Sequence, residues 1–212
     1  MLFGGELTPH WLLDAYSHGI FPWPICDGRS LLAWWSPDPR AVLEFADLHI
    51  PKRLRRTLRS GKFRVTCNQD FEGVIQGCAT AEDRMGQTWL CPEMLVAYQE
   101  MHRLGYAMSV ETWKEDRLVG GTYGISLGGF FAAESMFYSE TDASKVALVA
   151  LVRHLRSRGF LLLDIQQLTE HTERFGAKEI SRRAFLSRLD EALTLSPDFG
   201  VDFEKDADFS SL

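Results

Sequence analysis

The chain is poor in the residues that build crosslinks and metal clusters. Its four cysteines, Cys26, Cys67, Cys78 and Cys91, show no CxxC spacing, which excludes a zinc site made from short ligand pairs. Free or buried thiols in a reducing compartment are expected instead. Long apolar runs are also missing. The longest, around Val146 to Val152, falls far short of the ~20 residues that cross a bilayer, so no membrane partner is expected. The first residues, Met1-Leu2-Phe3-Gly4-Gly5-Glu6, have neither a basic stretch nor a long apolar segment. No signal peptide is expected there, and the location implied is cytoplasmic. There is no internal repeat and no low-complexity linker. No GxSxG occurs, which removes the serine-hydrolase nucleophile elbow. An excess of positive charge is lacking too: 23 Lys+Arg stand against 29 Asp+Glu, a net charge of −6.

What is present is ordinary globular composition, 45% hydrophobic and 25% charged over 212 residues. That suits one domain or two small ones with a sizeable core, and excludes disorder as the main state. The net charge conceals a segregated pattern. Pro51 to Lys62 holds Lys52, Arg53, Arg55, Arg56, Arg59 and Lys62 with no acid, a local +6, while Asp190 to Leu212 sums to −6. Proline at the start and glycine near the end frame the basic stretch as a short helix. Lys52, Arg55, Arg56 and Arg59 then share one helical face. Like charges on one face suit either simple solvation or a phosphate backbone. The acidic end is expected to stay away from phosphate. Removing it from Pro197 onward should then leave nucleic-acid binding and its salt dependence unchanged.

Thr8-Pro9 caps and starts a helix through Trp11, Leu12, Ala15 and Tyr16, ended by Gly19. Next comes an aromatic, proline-rich segment, Phe21-Pro22-Trp23-Pro24 and Trp34-Trp35-Ser36-Pro37-Asp38-Pro39-Arg40. Its four prolines argue against regular structure over most of it. Its tryptophans either plug a core or form a flat wall for a ring-bearing ligand. A helix is predicted from Pro92 to Leu104. Strands follow at Tyr106 to Trp113, Arg117 to Gly124 and Gly129 to Ser135. A buried helix from Ala143 to Arg158, started by Asp142, precedes a buried strand, Phe160 to Gln166. The order β-β-β-α-β predicts an α+β fold with a mixed sheet, of the acyltransferase type called GNAT-like.

Asp164 and Gln166 stand two apart near the end of that last strand and so share a face, at a position where α/β-type sheets often place ligand sites. They form either a polar relay at a reacting centre or a loop-capping pair. Glu134, in Phe131-Ala132-Ala133-Glu134-Ser135-Met136-Phe137, either holds a cation or is paired with Lys145 or an arginine. Acetyl-CoA is disfavoured as donor. The stretch ahead of the long helix, Tyr138-Ser139-Glu140-Thr141-Asp142-Ala143-Ser144-Lys145, has no glycine and two acids, whereas a pyrophosphate cradle needs open backbone N–H groups.

Ordered stretches from Gly4 to Leu189 carry a resemblance. They include Gly19-Ile20-Phe21-Pro22-Trp23, Trp34-Trp35-Ser36-Pro37-Asp38-Pro39-Arg40, Thr88-Trp89-Leu90, Ser109-Val110-Glu111-Thr112-Trp113, Glu134-Ser135-Met136-Phe137, Ala143-Ser144-Lys145 and Asp164-Ile165-Gln166. The chain resembles the leucyl/phenylalanyl-tRNA–protein transferase family. That resemblance implies a GNAT-like aminoacyltransferase domain (residues 63–195) behind a small α/β N-terminal domain (1–62), with an acidic tail (196–212). It implies transfer of Leu, Phe or Met from aminoacyl-tRNA to the α-amino group of proteins with N-terminal Arg or Lys, marking them for N-end rule degradation, with no cofactor and no metal. Asp164, Gln166 and Glu134 are implied as catalytic. Trp23, Trp89, Tyr16 and Tyr98 are implied at the tRNA 3′ adenosine. Phe131, Met136, Leu148, Leu151, Leu155, Leu163 and Thr122 are implied in the donor side-chain pocket, and Lys52, Arg55, Arg56 and Arg59 at the tRNA backbone. Thr122 stands where the family often has an apolar residue. A GNAT-type acyl-CoA-dependent N-acyltransferase is the alternative.

Overall fold

The computed structural model describes residues 2–26, 30–81, 90–201, 203 and 208–210. The chain forms two sheets. A seven-stranded mixed sheet has the order β10-β4-β9-β8-β7-β6-β5. Its strands are β4 (Arg40–Leu43), β5 (Arg64–Cys67), β6 (Ala107–Lys114), β7 (Arg117–Leu127), β8 (Phe130–Tyr138), β9 (Leu162–Gln166) and β10 (Ala177–Ile180). The smaller sheet has three strands in the order β1-β3-β2: β1 (Leu2–Phe3), β2 (Phe21–Cys26) and β3 (Ser30–Trp35). The α+β class with a mixed sheet is therefore as expected. The meander β6-β7-β8 turns at Glu115 and at Gly128, both with positive φ.

The only parallel pair among these strands is β8 with β9. It needs a crossover, and α5 (Ala143–Ser157) supplies it. That helix is apolar almost all round and accordingly buried along most of its length. Asp142 occupies its N-cap position, but its side chain caps nothing. Its carboxylate accepts from Lys145 at 2.9 Å and from the Thr57 hydroxyl at 3.1 Å, tying α5 to α2 (Lys52–Arg59). One face of the large sheet packs on α5 and α2. The other packs on α1 (Pro9–Ser17), α3 (Phe71–Thr80), α4 (Pro92–Arg103) and α7 (Arg182–Leu193). A short α6 (Glu170–Glu173) follows β9 and is capped reciprocally by Thr169 and Thr172.

Three expectations change on folding. The proline-rich segment is mostly a β-hairpin. Pro22 and Pro24 lie in β2, opposite Trp34 and Leu32 of β3. Because they are two apart, their missing N–H groups fall on one side of the strand. β2 is an edge strand, so the ladder to β3 survives. Among its described residues only Ser36 to Pro39 stays irregular, with a cis Asp38–Pro39 bond. Second, within residues 1–62 the segment 2–35 builds the small sheet, whereas β4 joins the large sheet and α2 lies on α5. Third, the acidic end, expected as a tail over 196–212, packs against the core. Phe199, Phe203 and Phe209 are buried, and Phe199 stacks on Phe131 at 5.8 Å. The carbonyl of Phe199 meets the ring of His154, fully buried on α5, at 2.6 Å. No described helix is long and apolar enough to cross a membrane.

Candidate active site

The site begins where β8 and β9 part. Their parallel pairing runs from Phe130–Leu162 to Ala132–Asp164 and stops. Beyond it, both strands carry one extra residue against their antiparallel neighbours. Tyr123 and Gly124 of β7 face Ser135 and Ala133, leaving Glu134 as a bulge. Ala41 and Val42 of β4 face Gln166 and Asp164, leaving Ile165 as another. A bulge re-aims side chains and reverses which residues face each side. Ahead of Glu134, Ala132 packs with the α1/α4 side and Phe131 with the α5 side; after it, Met136 is on the α5 side and Phe137 on the other. The bulge thus turns Glu134 toward the tyrosines of α1 and α4 while placing Met136 beside Leu148 of α5.

Asp164 is fully buried and tied to Arg40, itself 1% exposed. Arg40 Nε donates to Oδ1 at 2.8 Å and Nη2 to Oδ2 at 2.6 Å. Nη1 donates to the Gly19 carbonyl at 3.0 Å. The guanidinium is also flanked by the rings of Phe21 and Phe185, at 4.8 and 4.5 Å, an arrangement that suits a planar, weakly hydrated cation. Asp164 Oδ1 accepts the Gln166 main-chain N–H at 2.8 Å. Gln166 has φ +65°, a left-handed backbone that costs an L-residue ~1–2 kcal/mol. The Asp164 bond is one of the contacts that holds it there. The Gln166 side-chain Nε2 donates to Glu134 Oε1 at 2.9 Å. A carboxylate can only accept, so this bond leaves the Gln166 side-chain carbonyl as the free end of the amide.

Glu134 Oε2 accepts from the Tyr98 hydroxyl at 3.1 Å, and Tyr98 meets the Tyr16 hydroxyl at 2.8 Å. Tyr16 thus acts on Glu134 through Tyr98, and its hydroxyl helps favour the charged carboxylate. Burial pushes the Glu134 carboxyl up from 4.5 to about 7, against the two tyrosine hydroxyls that favour its charged form. Burial and the Glu134 charge raise both tyrosines well above 10, so they stay neutral donors. Beside Glu134 lies a cavity of about 430 Å³, lined among others by Thr122, Met136, Phe137, Leu148, Ile165, Thr169 and His171. This volume is in the range of small-molecule sites. The Thr122 hydroxyl is occupied by the Ser135 carbonyl at 2.9 Å. Burial and the nearby Lys145 and Arg174 hold His171 below its ordinary value. Among the described residues no group of His, Cys, Asp and Glu side chains is arranged to hold a metal.

Known proteins match this chain over nearly its whole length. Residues 42–190 match the family described as leucyl/phenylalanyl-tRNA protein transferase, and residues 5–38 match that family's N-terminal domain. The chain belongs to the leucyl/phenylalanyl-tRNA–protein transferase family. A member from Anaeromyxobacter sp. (strain K) is 55% identical over 192 residues, 90% of this chain and 81% of that protein. One from Pseudomonas paraeruginosa is 48% identical over 200 residues, 94% of this chain and 88% of that protein. Among solved structures, a GCN5-related N-acetyltransferase-like protein from Streptococcus suis has a TM-score of 0.37 at 13% identity, covering 81% of this chain and 64% of that one.

Several residues singled out from the transferase resemblance come together and others do not. Asp164, Gln166, Glu134, Tyr16 and Tyr98 form one hydrogen-bonded group. Tyr16 and Tyr98 are 1% and 0% exposed, so neither presents a ring face on which an adenine could stack; their hydroxyls serve Glu134 instead. Among the described residues Glu134 pairs with neither Lys145 nor an arginine directly. Lys145 is held by Asp142. Asp164 acts on the Gln166 backbone rather than on its amide. Trp34 is buried, whereas Trp23 and Trp35 are half-buried and meet edge to face at 5.9 Å. Trp23 reaches the site through Phe21, 6.4 Å away. Trp89 lies outside the described residues. Of the expected donor pocket, Thr122, Met136 and Leu148 line the cavity; Phe131, Leu151, Leu155 and Leu163 sit in the core and do not. Lys52, Arg55, Arg56 and Arg59 are exposed on α2. Sequence reasoning missed Arg40 as a functional residue. Its signal was an arginine opening the apolar run Ala41-Val42-Leu43, where an unpaired charge could not be buried.

Proposed function

We propose that this chain moves Leu, Phe or Met from aminoacyl-tRNA to the α-amino group of proteins that begin with Arg or Lys, on a GNAT-like scaffold. The single observation that carries the reading is the Glu134–Gln166 bridge across the parting of β8 and β9, beside a cavity of about 430 Å³, in a chain of this family. The parallel strand pair joined by a buried helix, opening into a cleft at its end, supports the scaffold. The cavity takes the donor side chain. Met136, Leu148 and Phe137 favour an apolar group there, and one methylene too few or too many is worth ~1–3 kcal/mol in such a pocket. A charged side chain would leave its charge unpaired against those walls.

The donor ester is already activated, so the chemistry is aminolysis. An α-amine with pKa ~7.7–8.0 is substantially neutral near pH 8. Gln166, through its free carbonyl, accepts a hydrogen bond from the attacking amine, and Asp164 with Arg40 holds the backbone that presents it. Positioning supplies a large share of the rate. Trp23 flanks the terminal adenosine, and the basic face of α2 contacts the tRNA backbone. The stretch before α5 offers no glycine cradle for the pyrophosphate of acyl-CoA. The test is transfer from Leu-, Phe- and Met-tRNA to an Arg-initiated peptide, with a calorimetric titration of acetyl-CoA beside it. Labelled peptide and no heat from acetyl-CoA are expected; heat from acetyl-CoA with no labelled peptide would overturn the reading.

A further inference from the structure

We infer that Glu134, rather than Gln166 or Asp164, takes the proton that the acceptor amine loses, and that the hydroxyls of Tyr16 and Tyr98 tune it for that task. The inference rests on the transfer reading above and goes beyond it by naming where the proton goes. Three groups at the site are candidates. Asp164 is fully buried, both its oxygens are occupied by Arg40, and one also holds the Gln166 main-chain N–H. Protonating it would break a buried ion pair. The Gln166 amide can accept a hydrogen bond but is no base. Glu134 is different. It is partly open to the cavity, and its hydrogen-bond partners, Tyr98 and Gln166, are both neutral donors. Two donors leave about two of the roughly four acceptor positions of a carboxylate vacant.

The groups that face Glu134 are known from every described element around it. Tyr16 comes from α1 and Tyr98 from α4, with Tyr123 of β7 beside the two tyrosines. Asp164 of β9 and Arg40 of β4 act at longer range with opposite signs. His171 of α6 lines the same cavity. Burial leaves the carboxyl near 7, where a base of this kind works best at neutral pH.

The neutral α-amine attacks the ester carbonyl carbon of the aminoacyl group and a C–N bond forms. The resulting ammonium gives a proton to Glu134. The bond from the carbonyl carbon to the ribose oxygen then breaks, and that oxygen takes the proton back from Glu134. The products are the amide and tRNA with a free ribose hydroxyl, and Glu134 ends as the carboxylate it began as.

The test is single-turnover transfer of Phe from Phe-tRNA to an Arg-initiated peptide, both saturating, between pH 5.5 and 8.5. The wild-type rate should rise through two ionisations, one near 7 and one from the acceptor amine at ~7.7–8.0. Glu134→Gln should lower the rate roughly 100- to 10,000-fold and leave only the amine ionisation. Tyr98→Phe removes a donor that favours the carboxylate, so its lower ionisation should move to higher pH while the upper one stays. Urea unfolding and tRNA binding of each variant show that it is folded. A Glu134→Gln enzyme within about threefold of wild type would overturn the assignment. So would one that is slow but keeps both ionisations, or a Tyr98→Phe profile that does not move. A wild-type chain that transfers nothing at any pH overturns the transfer reading itself, and this assignment with it.

Discussion

Arg40 and Asp164 meet through two hydrogen bonds of 2.6 and 2.8 Å inside the protein, where neither is solvated. Arg40→Met leaves Asp164 buried without its cation, which should cost about 3–5 kcal/mol of stability. The double variant Arg40→Met/Asp164→Leu should recover much of that loss, because no charge is then left unpaired. Urea midpoints of the two variants check this, and the double variant should fail to transfer, since Gln166 has lost the carboxylate that anchors its main-chain N–H. Glu134 works in the opposite direction. Its folded value, about 7, lies above the ordinary 4.5, so the native chain holds more protons than the unfolded chain between those values. Its contribution to stability is present at low pH and is lost as pH rises through about 7. The charged form therefore costs the native state roughly 3 kcal/mol at pH 8. Glu134→Gln should unfold at higher urea than wild type at pH 8 and lose that advantage near pH 5. Equal midpoints at both pH values would show that Glu134 carries no such strain.

At the scale of elements, the bulges in β8 and β9 do what uninterrupted strands could not. They let one short stretch of β8 supply a carboxylate to the tyrosine side and a methionine to the α5 side. The tightness of the fit shows in Gly124, where a Cβ would run into the Ala132 carbonyl and the Phe131 ring. The helix α2 has a different task. Leu54 and Leu58 bury one face, and Arg55, Arg56 and Arg59 are left on the solvent side with no acid in the helix. Neutralising these three should weaken tRNA binding and flatten its salt dependence by roughly 2–3 units in the log–log slope, at ~0.7–0.9 per phosphate contact. Filter binding over a range of salt measures it, and an unchanged slope would remove α2 from the tRNA path.

At the scale of the molecule, the chain end closes the α5 face of the core. Phe199 lies against Phe131, Phe160 and His154. Phe203 adds to the same His154 ring, and Arg153 sits over Phe209 at 5.3 Å. Removing the residues from Pro197 onward, expected to leave tRNA binding and its salt dependence unchanged, would also take these phenylalanines out of the core and so lower stability. Phe199→Ala should cost about 3–5 kcal/mol, and the melting temperature should fall by roughly 6–20 °C, at ~2–4 °C per kcal/mol for a chain of this size. A melting point within a degree or two of wild type would show the phenylalanine to be dispensable.

Much of this was legible along the chain. The helical period and proline placement marked α1, α2 and α4, alternation marked the β6-β7-β8 meander, and the all-round apolar pattern marked α5 as buried. Glu134, Asp164 and Gln166 stood out because polar groups in apolar surroundings need partners. The segregation of charge toward α2 was visible too, since it depends only on order in the sequence. Other features depended on residues far apart. The strands β4, β5 and β10 have four residues each, and their neighbours in the sheet define them; α3 and α7 are helices of ordinary length with side-chain N-caps, Asp70 and Ser181, that sequence reasoning missed. The prolines of β2 are harmless only because β2 is an edge strand, which no local window shows. The partner of Asp164 is Arg40, 124 residues earlier, and a bulge exists only relative to the strand beside it. Local propensity and charge order are properties of neighbours in sequence, so the sequence alone determined them. Which carboxylate is locked in an ion pair, and which is left with neutral partners at about 7, depends on what folding brings within hydrogen-bonding distance, and only the tertiary structure decided that.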